Sequence, residues 1–353
     1  MLLSDICEII MGQSPSSDSY NVKGQGLPFF QGNADFGKLY PSVRLWCNCP
    51  IKKAEAGDLL VSVRAPIGAV NLANQKCCIG RGLAALRPYR DKCDAMYLYY
   101  LIKAGKNKLN WLGTGSTFKA ITRSSLLSFN VPDYCIAFQR KISGKLWSVD
   151  KLIHQRNEQL KLFDLLIQSR FLEMFGDIEL NSQNMQKMMW QEVFDTQTGK
   201  LDANAAVKGG RYPFFTCAKE ISTIDEYAYD CEALLLAGNN AVGDYDVKYY
   251  KGKFNAYQRT YILMLKNRQY SYSVFKFQLE QKLRYLQLQS KGTNTRYLTM
   301  GILKSLDFIV PPIVKQQEFA QFVNATDKSK MAVQKSLDEL ETLKKSLMQT
   351  YFG

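Results

Sequence analysis

A single histidine, His154, is all that 353 residues contain. That scarcity removes the commonest general base and the commonest neutral metal ligand from the available chemistry. His154 sits one residue beyond an apolar helix position, Ile153, with no nucleophile indicated beside it, so a structural or solvated role is expected. Zinc spacing is missing as well. Cys47 and Cys49 are separated by one residue and Cys77 and Cys78 are adjacent, so neither pair is C-x₂-C. The nine cysteines read as small buried apolar side chains in a reduced cytoplasm, where disulfides are rare. No G-x-G-x-x-G follows a strand, and there is no P-loop and no Asn-Pro-Pro-aromatic or Asp-Pro-Pro-Tyr motif, so neither a nucleotide cradle nor methyl transfer to a base amine is indicated. "LEQK" (279–282) has the Glu-x-Lys of many metal nucleases but lacks the Pro-Asp partner, and a solvated helix face explains it. No apolar run approaches the roughly 18 residues of a membrane span. The opening "MLLSDICEIIMGQSPSS" has no basic segment and places Asp5 and Glu8 among its apolar residues, so no leader is expected. The chain is expected to bind no metal or cofactor and no membrane, and to catalyse nothing.

Acidic residues are also scarce. There are 32 against 46 basic ones, a formal charge of +14. Such an excess opposes compaction and favours an anionic partner. Nucleic acid is the first candidate and an anionic lipid surface the second. With 46% apolar residues and this length, two domains can each bury a core.

The chain is one unit written twice. "GTGSTFKAIT" (113–122) returns as "KGTNTRYLT" (291–299), with Gly115 and Gly292 separated by 177 residues. "FLEMFG", ending at Gly176, and "MQTYFG", ending at Gly353, repeat that offset. In the same order, "LPFFQGN" (27–33) matches "YPFFTCA" (212–218) and Gly12 matches Gly199. "GDLLVSVRAPIGAVN" (57–71) pairs with "EALLLAGNNAVGDYD" (232–246), and "IGRGLAALRP" (79–88) with "YQRTYILMLK" (257–266). Each half runs from short strand-like segments through the Gly-Thr loop to Val-Pro, then into a long helix.

The first helix carries Ile142, Leu146, Val149, Ile153, Leu160, Phe163, Ile167 and Met174 at steps of three and four, with Arg156 and Arg170 as exceptions. The second carries Phe319, Phe322, Val333, Leu337, Leu340, Leu343, Leu347 and Tyr351, interrupted by Thr326 and Ser329. A sustained heptad stripe on about 37 residues, roughly 55 Å of helix, outruns one small domain and calls for its twin as partner. The alternative is that each stripe packs on its own globular domain. The reading is an α+β protein with two repeated globular domains, 1–134 and 177–313. Two long antiparallel coiled-coil helices, 135–176 and 314–353, join them.

The repeated loops offer Thr114, Ser116, Thr117 and Lys119, then Thr293, Asn294, Thr295 and Arg296. Hydroxyls and backbone amides beside a cation are phosphate ligands, and glycine admits the backbone close to a ligand. Arg64, Arg81, Asn239, Asn240, Gln258 and Arg259 are candidates for base edges, because Arg pairs with guanine and Asn or Gln with adenine. Any one of these residues taken alone is more often ordinary turn or surface chemistry; the recurrence at matched positions carries the argument.

The residues also resemble a family. "MGQSPSSDSY" (11–20), "LPFFQGNADFG" (27–37), "AEAGDLLVSVRAPIGAVNLA" (54–73), "CIGRGLAALRP" (78–88), "STFKAIT" (116–122) and "LIQSRFLEMFGD" (166–177) are similar to the specificity (S) subunits of type I restriction-modification enzymes. The second half joins mainly through "GTNTRYLT", "FIVPP", "KQQEFA" and "TYFG", and departs over 187–290. The resemblance implies a non-catalytic subunit whose two target-recognition domains each read half of an interrupted site in double-stranded DNA, with the helices as a ruler. It implies methyltransferase (modification) subunits around the helices and restriction/translocase subunits beyond, with S-adenosylmethionine, ATP and Mg²⁺ on those partners. A basic coiled-coil scaffold that binds DNA without sequence preference is the competing reading.

Overall fold

The computed structural model describes residues 1–113 and 119–353. Two compact units emerge, 1–158 with 334–353, and 159–333. This differs from the four-part division expected. Each long helix is divided between the units, because its two halves pack into different cores.

In unit 1 the strands are β1 (Cys7–Met11), β2 (Tyr20–Asn21), β3 (Leu27–Phe30), β4 (Leu45–Cys47), β5 (Lys53–Ala54), β6 (Leu59–Ser62), β7 (Val70–Leu72), β8 (Cys77–Ile79) and β9 (Leu83–Pro88). They form two sheets, ordered β1-β9-β6-β7 and β2-β4-β3-β8-β5. Helices α1 (Ala95–Ala104), α2 (Lys106–Leu112) and α3 (Arg123–Leu127) follow, and α4 (Ile136–Phe175) begins in this unit. Strand β8 and the stretches 59–61 of β6 and 83–86 of β9 read as apolar runs because both faces are covered, and every residue of β6 and β8 is buried. Helix α1 buries Tyr97, Leu98, Tyr100 and Ile102 into the same core.

Unit 2 contains β10 (Gln186–Met189), α5 (Trp190–Val193), β11 (Phe194–Thr198), β12 (Tyr212–Phe215), β13 (Ser222–Ile224), β14 (Tyr229–Ala237) and β15 (Asn239–Asn240). It continues with β16 (Val247–Ala256), β17 (Thr260–Leu265), α6 (Tyr272–Gln281), α7 (Leu283–Gln289), β18 (Arg296–Tyr297), α8 (Met300–Lys304), β19 (Asp307–Val310) and the start of α9 (Ile313–Phe352). Its main sheet is ordered β11-β17-β14-β16-β12-β13.

The repeat is visible strand by strand. The order β11-β17-β14-β16 reproduces β1-β9-β6-β7. A parallel pairing recurs in the same register, Phe29 and Phe30 against Cys78 and Ile79, then Phe214 and Phe215 against Asn255 and Ala256. The break at 73–76 assigns β7 and β8 to different sheets, whereas their counterpart β16 runs unbroken and merges the sheets of unit 2. Gly12 and Gly199 occupy one position: their amides donate to the carbonyls of Leu83 and Thr260. A Cβ there would lie 2.2 Å from Gly80 O or 2.1 Å from Ala256 O, so the approach admits glycine alone.

The same bonds correct one sequence match. The Gly80 and Tyr257 amides donate to the Phe30 and Phe215 carbonyls, and those of Val63 and Gly238 to Gly82 and Arg259. Residues 79–82 therefore align with 256–259, one residue earlier than side-chain similarity suggests. Arg81 corresponds to Gln258, and Gly82 to Arg259.

Each unit also buries a glutamine at the first turn of its long helix. Gln139 accepts from the Asp94 amide (3.1 Å) and donates to the Tyr134 carbonyl (2.8 Å). Gln316 accepts from the Ser271 amide (2.9 Å) and donates to the Pro311 carbonyl (2.7 Å). The two side chains tie the start of α4 to α1 and the start of α9 to α6.

The helices α4 and α9 span 40 residues each. In unit 1, Ile142, Leu146 and Val149 are buried and Ile153 half-buried. Leu347, Met348, Tyr351 and Phe352 pack on that core, and Lys344 pairs with Asp150. In unit 2, Leu160, Phe163 and Ile167 are half-buried, and Phe171 and Phe175 cluster with Phe319 at ring separations of 5.3 and 5.6 Å. Lys330 pairs with Asp164 at 2.6 Å. Val333 and Leu337 are buried and Leu340 half-buried. One expectation for the second stripe fails, since Leu343 is 46% exposed; Thr326, which interrupts the stripe, is buried with its hydroxyl satisfied by the Phe322 carbonyl. None of the helices among the described residues is long and apolar enough to cross a membrane.

Candidate nucleic-acid interface

Three chain segments of unit 1 converge at the ends of β3, β6 and β9. The Val63 amide donates to the Gly82 carbonyl (3.0 Å) and the Gly82 amide to the Gln31 carbonyl (3.1 Å). Between them opens a cavity of about 330 Å³ lined by Arg44, Arg64 and Arg81 together with Gln31, Asn33 and Asp35. Arg64 and Arg81, 17 positions apart in sequence, are thus brought to one concavity, and both are exposed. Asp35 is buried. It accepts from the Gln31 amide (2.9 Å) and Arg44 Nε (2.9 Å), so it shapes the loop and neutralises one of the three guanidiniums. Burial pushes the Tyr20 phenol up, and Arg81 beside it pulls the other way. The Arg81 amide donates to Ser14 Oγ (3.2 Å).

Sequence reasoning missed Arg44, Gln31 and Asn33. Their only signal is polarity next to the aromatic strands, and the Asp35 clamp that gathers them forms through a loop no periodicity describes.

The repeated loop meets this concavity. Arg64 bridges to Ala120, so exposed Lys119 adjoins it. Thr114, Ser116 and Thr117 lie outside the described residues.

In unit 2 the equivalent bridge is the pair β15–β18, Asn239 opposite Tyr297 and Asn240 opposite Arg296. Arg64 therefore corresponds to Asn239, and Lys119 to Arg296. Several candidates here have structural duties. Asn240 Oδ1 accepts from the Val242 amide (2.9 Å) and the Asp244 amide (3.3 Å), closing its own turn. Half-buried Arg296 donates to the Gln287 carbonyl (3.0 Å). Gln258 donates to Asp202 Oδ1 (2.6 Å). Arg259 is exposed, as are Thr293, Asn294 and Thr295 at the tip of the 291–297 hairpin. Gly292 has φ +100°, and a Cβ there would lie 2.1 Å from the Thr295 carbonyl. Glycine is therefore needed for the hairpin itself.

Among the described residues no cluster of three His, Cys, Asp or Glu is placed to hold a metal ion. The cysteines are free thiols, with Cys7, Cys47, Cys77, Cys78 and Cys93 buried. Burial pushes the Cys77, Cys78 and Cys93 thiols up to about 12, which makes them inert. Along α4, Leu162, Leu165, Leu166 and Leu172 are exposed, an apolar face on the side away from the seam.

A family profile described as "Type I restriction modification DNA specificity domain" matches the chain twice, over residues 1–162 and 182–342. A Methanocaldococcus jannaschii protein, provisionally named the type I restriction enzyme MjaX specificity subunit, is 44% identical over 152 residues, 43% of this chain and 36% of that one. The Escherichia coli type I restriction enzyme EcoDI specificity subunit is 38% identical over 132 residues, 37% of this chain and 28% of the relative. These matches span about a third of each relative's length. The crystal structure of the S subunit of a type I restriction-modification system from M. genitalium superposes with a TM-score of 0.70, covering 100% of this chain and 95% of that one at 15% identity, a likeness of fold. With both halves matched by one profile, and with the halves sharing strand order, register and buried capping side chains, the chain belongs to the type I restriction-modification DNA specificity family and carries two copies of its domain.

Proposed function

We propose that the chain is the DNA sequence-recognition subunit of a type I restriction-modification complex, each unit reading one part of a two-part site. The observation that carries this reading is the substitution pattern on a repeated frame. At two matched positions unit 1 has Arg64 and Arg81 where unit 2 has Asn239 and Gln258. Arginine suits the O6/N7 edge of guanine, and Asn or Gln the N6/N7 edge of adenine. Unit 1 then selects guanine and unit 2 adenine at corresponding base pairs. Lys119, Arg296 and the hydroxyls of Thr293 and Thr295 hold phosphates, which set register without reading sequence.

In this reading α4 and α9 pair antiparallel as a coiled coil and fix the spacing of the two half-sites. The exposed leucines of α4 receive the methyltransferase subunits. Restriction/translocase subunits join through that complex, and S-adenosylmethionine, ATP and Mg²⁺ act on those partners. The chain itself is a cytoplasmic, non-catalytic adaptor. Four residues inserted near Gln155, with four more opposite in α9 near Glu339, lengthen the ruler by about 6 Å, close to two base-pair steps. The recognised spacer should grow while both half-sites stay the same.

The deciding experiment is co-purification of the tagged chain with the products of its neighbouring genes, followed by methylome sequencing of DNA they modify. A methylated two-part motif with a fixed spacer supports the reading. A complex that binds DNA with no sequence preference contradicts it, because phosphate contacts alone carry no code.

A further inference from the structure

One large apolar side chain stands out of each unit at the same place. Trp111, in the last turn of α2, is 89% exposed, and Leu288, in the last turn of α7, is 72% exposed. They are 177 positions apart, the offset of the repeat. Two residues earlier Leu109 and Leu286 are fully buried, and a step of two turns the side chain to the far side of a helix. The helices are anchored by one apolar residue and present the other to solvent.

Both helices rest on the loop that follows the first base-reading residue. In unit 1 the position of a Cβ on Gly68, four residues after Arg64, is 3.1 Å from Lys106 Cγ, and one on Gly113 is 3.5 Å from Lys119 Cβ. In unit 2 a Cβ on Gly243, four residues after Asn239, would be 3.0 Å from Arg296 Cδ and 3.1 Å from Gln287 Cγ. Gln287 also donates to the Val242 carbonyl at 3.1 Å. The exposed side chain therefore borders the reading face in both copies. The flanking sequence has one sign of charge: 95–132 and 281–306 each hold five Lys or Arg and no Asp or Glu. An apolar projection in such a field suits a polyanion with apolar faces inside it, which is stacked nucleic acid.

We propose that Trp111 and Leu288 are DNA wedges, each entering a base step beside its own half-site and unstacking it. This rests on the DNA-recognition reading above. Apolar wedges that part a base step and kink the duplex are an established use of such side chains, and indole adds a stacking surface. Opening a step next to each half-site lowers the work of extruding a base there for modification.

The test uses the chain in complex with its methyltransferase subunits and a duplex carrying the motif they methylate. Trp111→Phe and Leu288→Trp variants report on stacking through fluorescence. Relative to the wild-type complex, Trp111→Phe should lose a DNA-dependent quench, and Leu288→Trp should gain one. Trp111→Ala should weaken binding by roughly 5- to 150-fold with an unchanged melting temperature. Equal quenching in all variants together with unchanged affinity overturns the wedge while leaving recognition intact. Loss of the methyltransferase subunits from the Trp111→Ala complex, with no change in quenching, overturns it in favour of protein docking. Failure of the wild-type complex to bind the duplex removes both the wedge and the recognition reading.

Discussion

At the end of β6 unit 1 carries Arg64, and at the matching end of β14 unit 2 carries Asn239, although the next amide-to-carbonyl bonds are the same in both. A similar contrast holds inside. Gln139 and Gln316 keep two partners in common, while the residue three positions on changes from Ile142 to Phe319, whose ring joins Phe171, Phe175 and Phe277. Backbone partnership and burial persist between the copies. What changes is side-chain bulk where the core can repack and hydrogen-bonding pattern on the surface proposed to contact DNA. The proposed duplicated reader would need this separation, since a new preference has to be acquired without disturbing the frame that positions it.

The largest way to probe the contrast is in the core. Phe319→Ala should destabilise by about 3–5 kcal/mol and Ile142→Ala by about 2–5 kcal/mol, read from denaturant unfolding with local exchange to assign the unit. Phe319→Ala is expected to exceed Ile142→Ala, because three rings, Phe171, Phe175 and Phe277, lose their neighbour. An equal loss would mean that the aromatic cluster adds nothing to unit 2.

Gln139→Ala and Gln316→Ala sharpen the shared part. Gln316→Ala strands a backbone amide and a carbonyl, and Gln139→Ala an amide and two carbonyls, those of Tyr134 and Lys92, at about 1–3 kcal/mol per buried group. Gln139→Ala should therefore cost more than Gln316→Ala; equal losses would mean that the bond to the Lys92 carbonyl adds nothing.

The smallest contrast is in acid. Asp307 and Asn130 hold one position, opposite Met189 and Leu2. Burial works to raise the Asp307 carboxyl, but Lys187 and Lys282 outweigh it and hold it below the usual range. A carboxyl depressed on folding lends stability above its unfolded value, about 3.9, and loses it as pH falls through the folded value. Asp307→Asn should therefore flatten the acid limb of unit 2 unfolding below about pH 4, by well under about 1 kcal/mol for so exposed a pair. Unit 1 should show no matching change.

Much of this architecture is legible in the sequence, for reasons that differ by element. The apolar stripe of α4 is readable because a helix repeats every 3.6 residues, and its Ile142, Leu146 and Val149 are buried, Ile142 and Leu146 within the globular core of unit 1. The repeat is readable where glycine is forced, as at Gly12 and Gly199. The match of 79–88 slips by one because both strands are apolar over most of their length, without polar alternation, so side-chain pattern there does not fix register. Leu343 misleads because heptad spacing alone does not set the contact line there, and Lys344 pairs with Asp150 in its stead. Arg44 and Asp35 are invisible until the 31–35 loop folds over them, and the division of each long helix between two cores rests on contacts between distant segments.

The central claim is that matched positions on one frame carry different base preferences. The direct measurement is methylome sequencing with the double variant Arg64→Asn, Arg81→Gln, which gives unit 1 the side chains of unit 2. Guanine at the unit 1 half-site should give way to adenine or to relaxed selection, a change of about 1–3 kcal/mol per base pair, with the other half-site and the spacer unchanged. A motif identical to wild type, from a variant that still folds and assembles, would contradict the account.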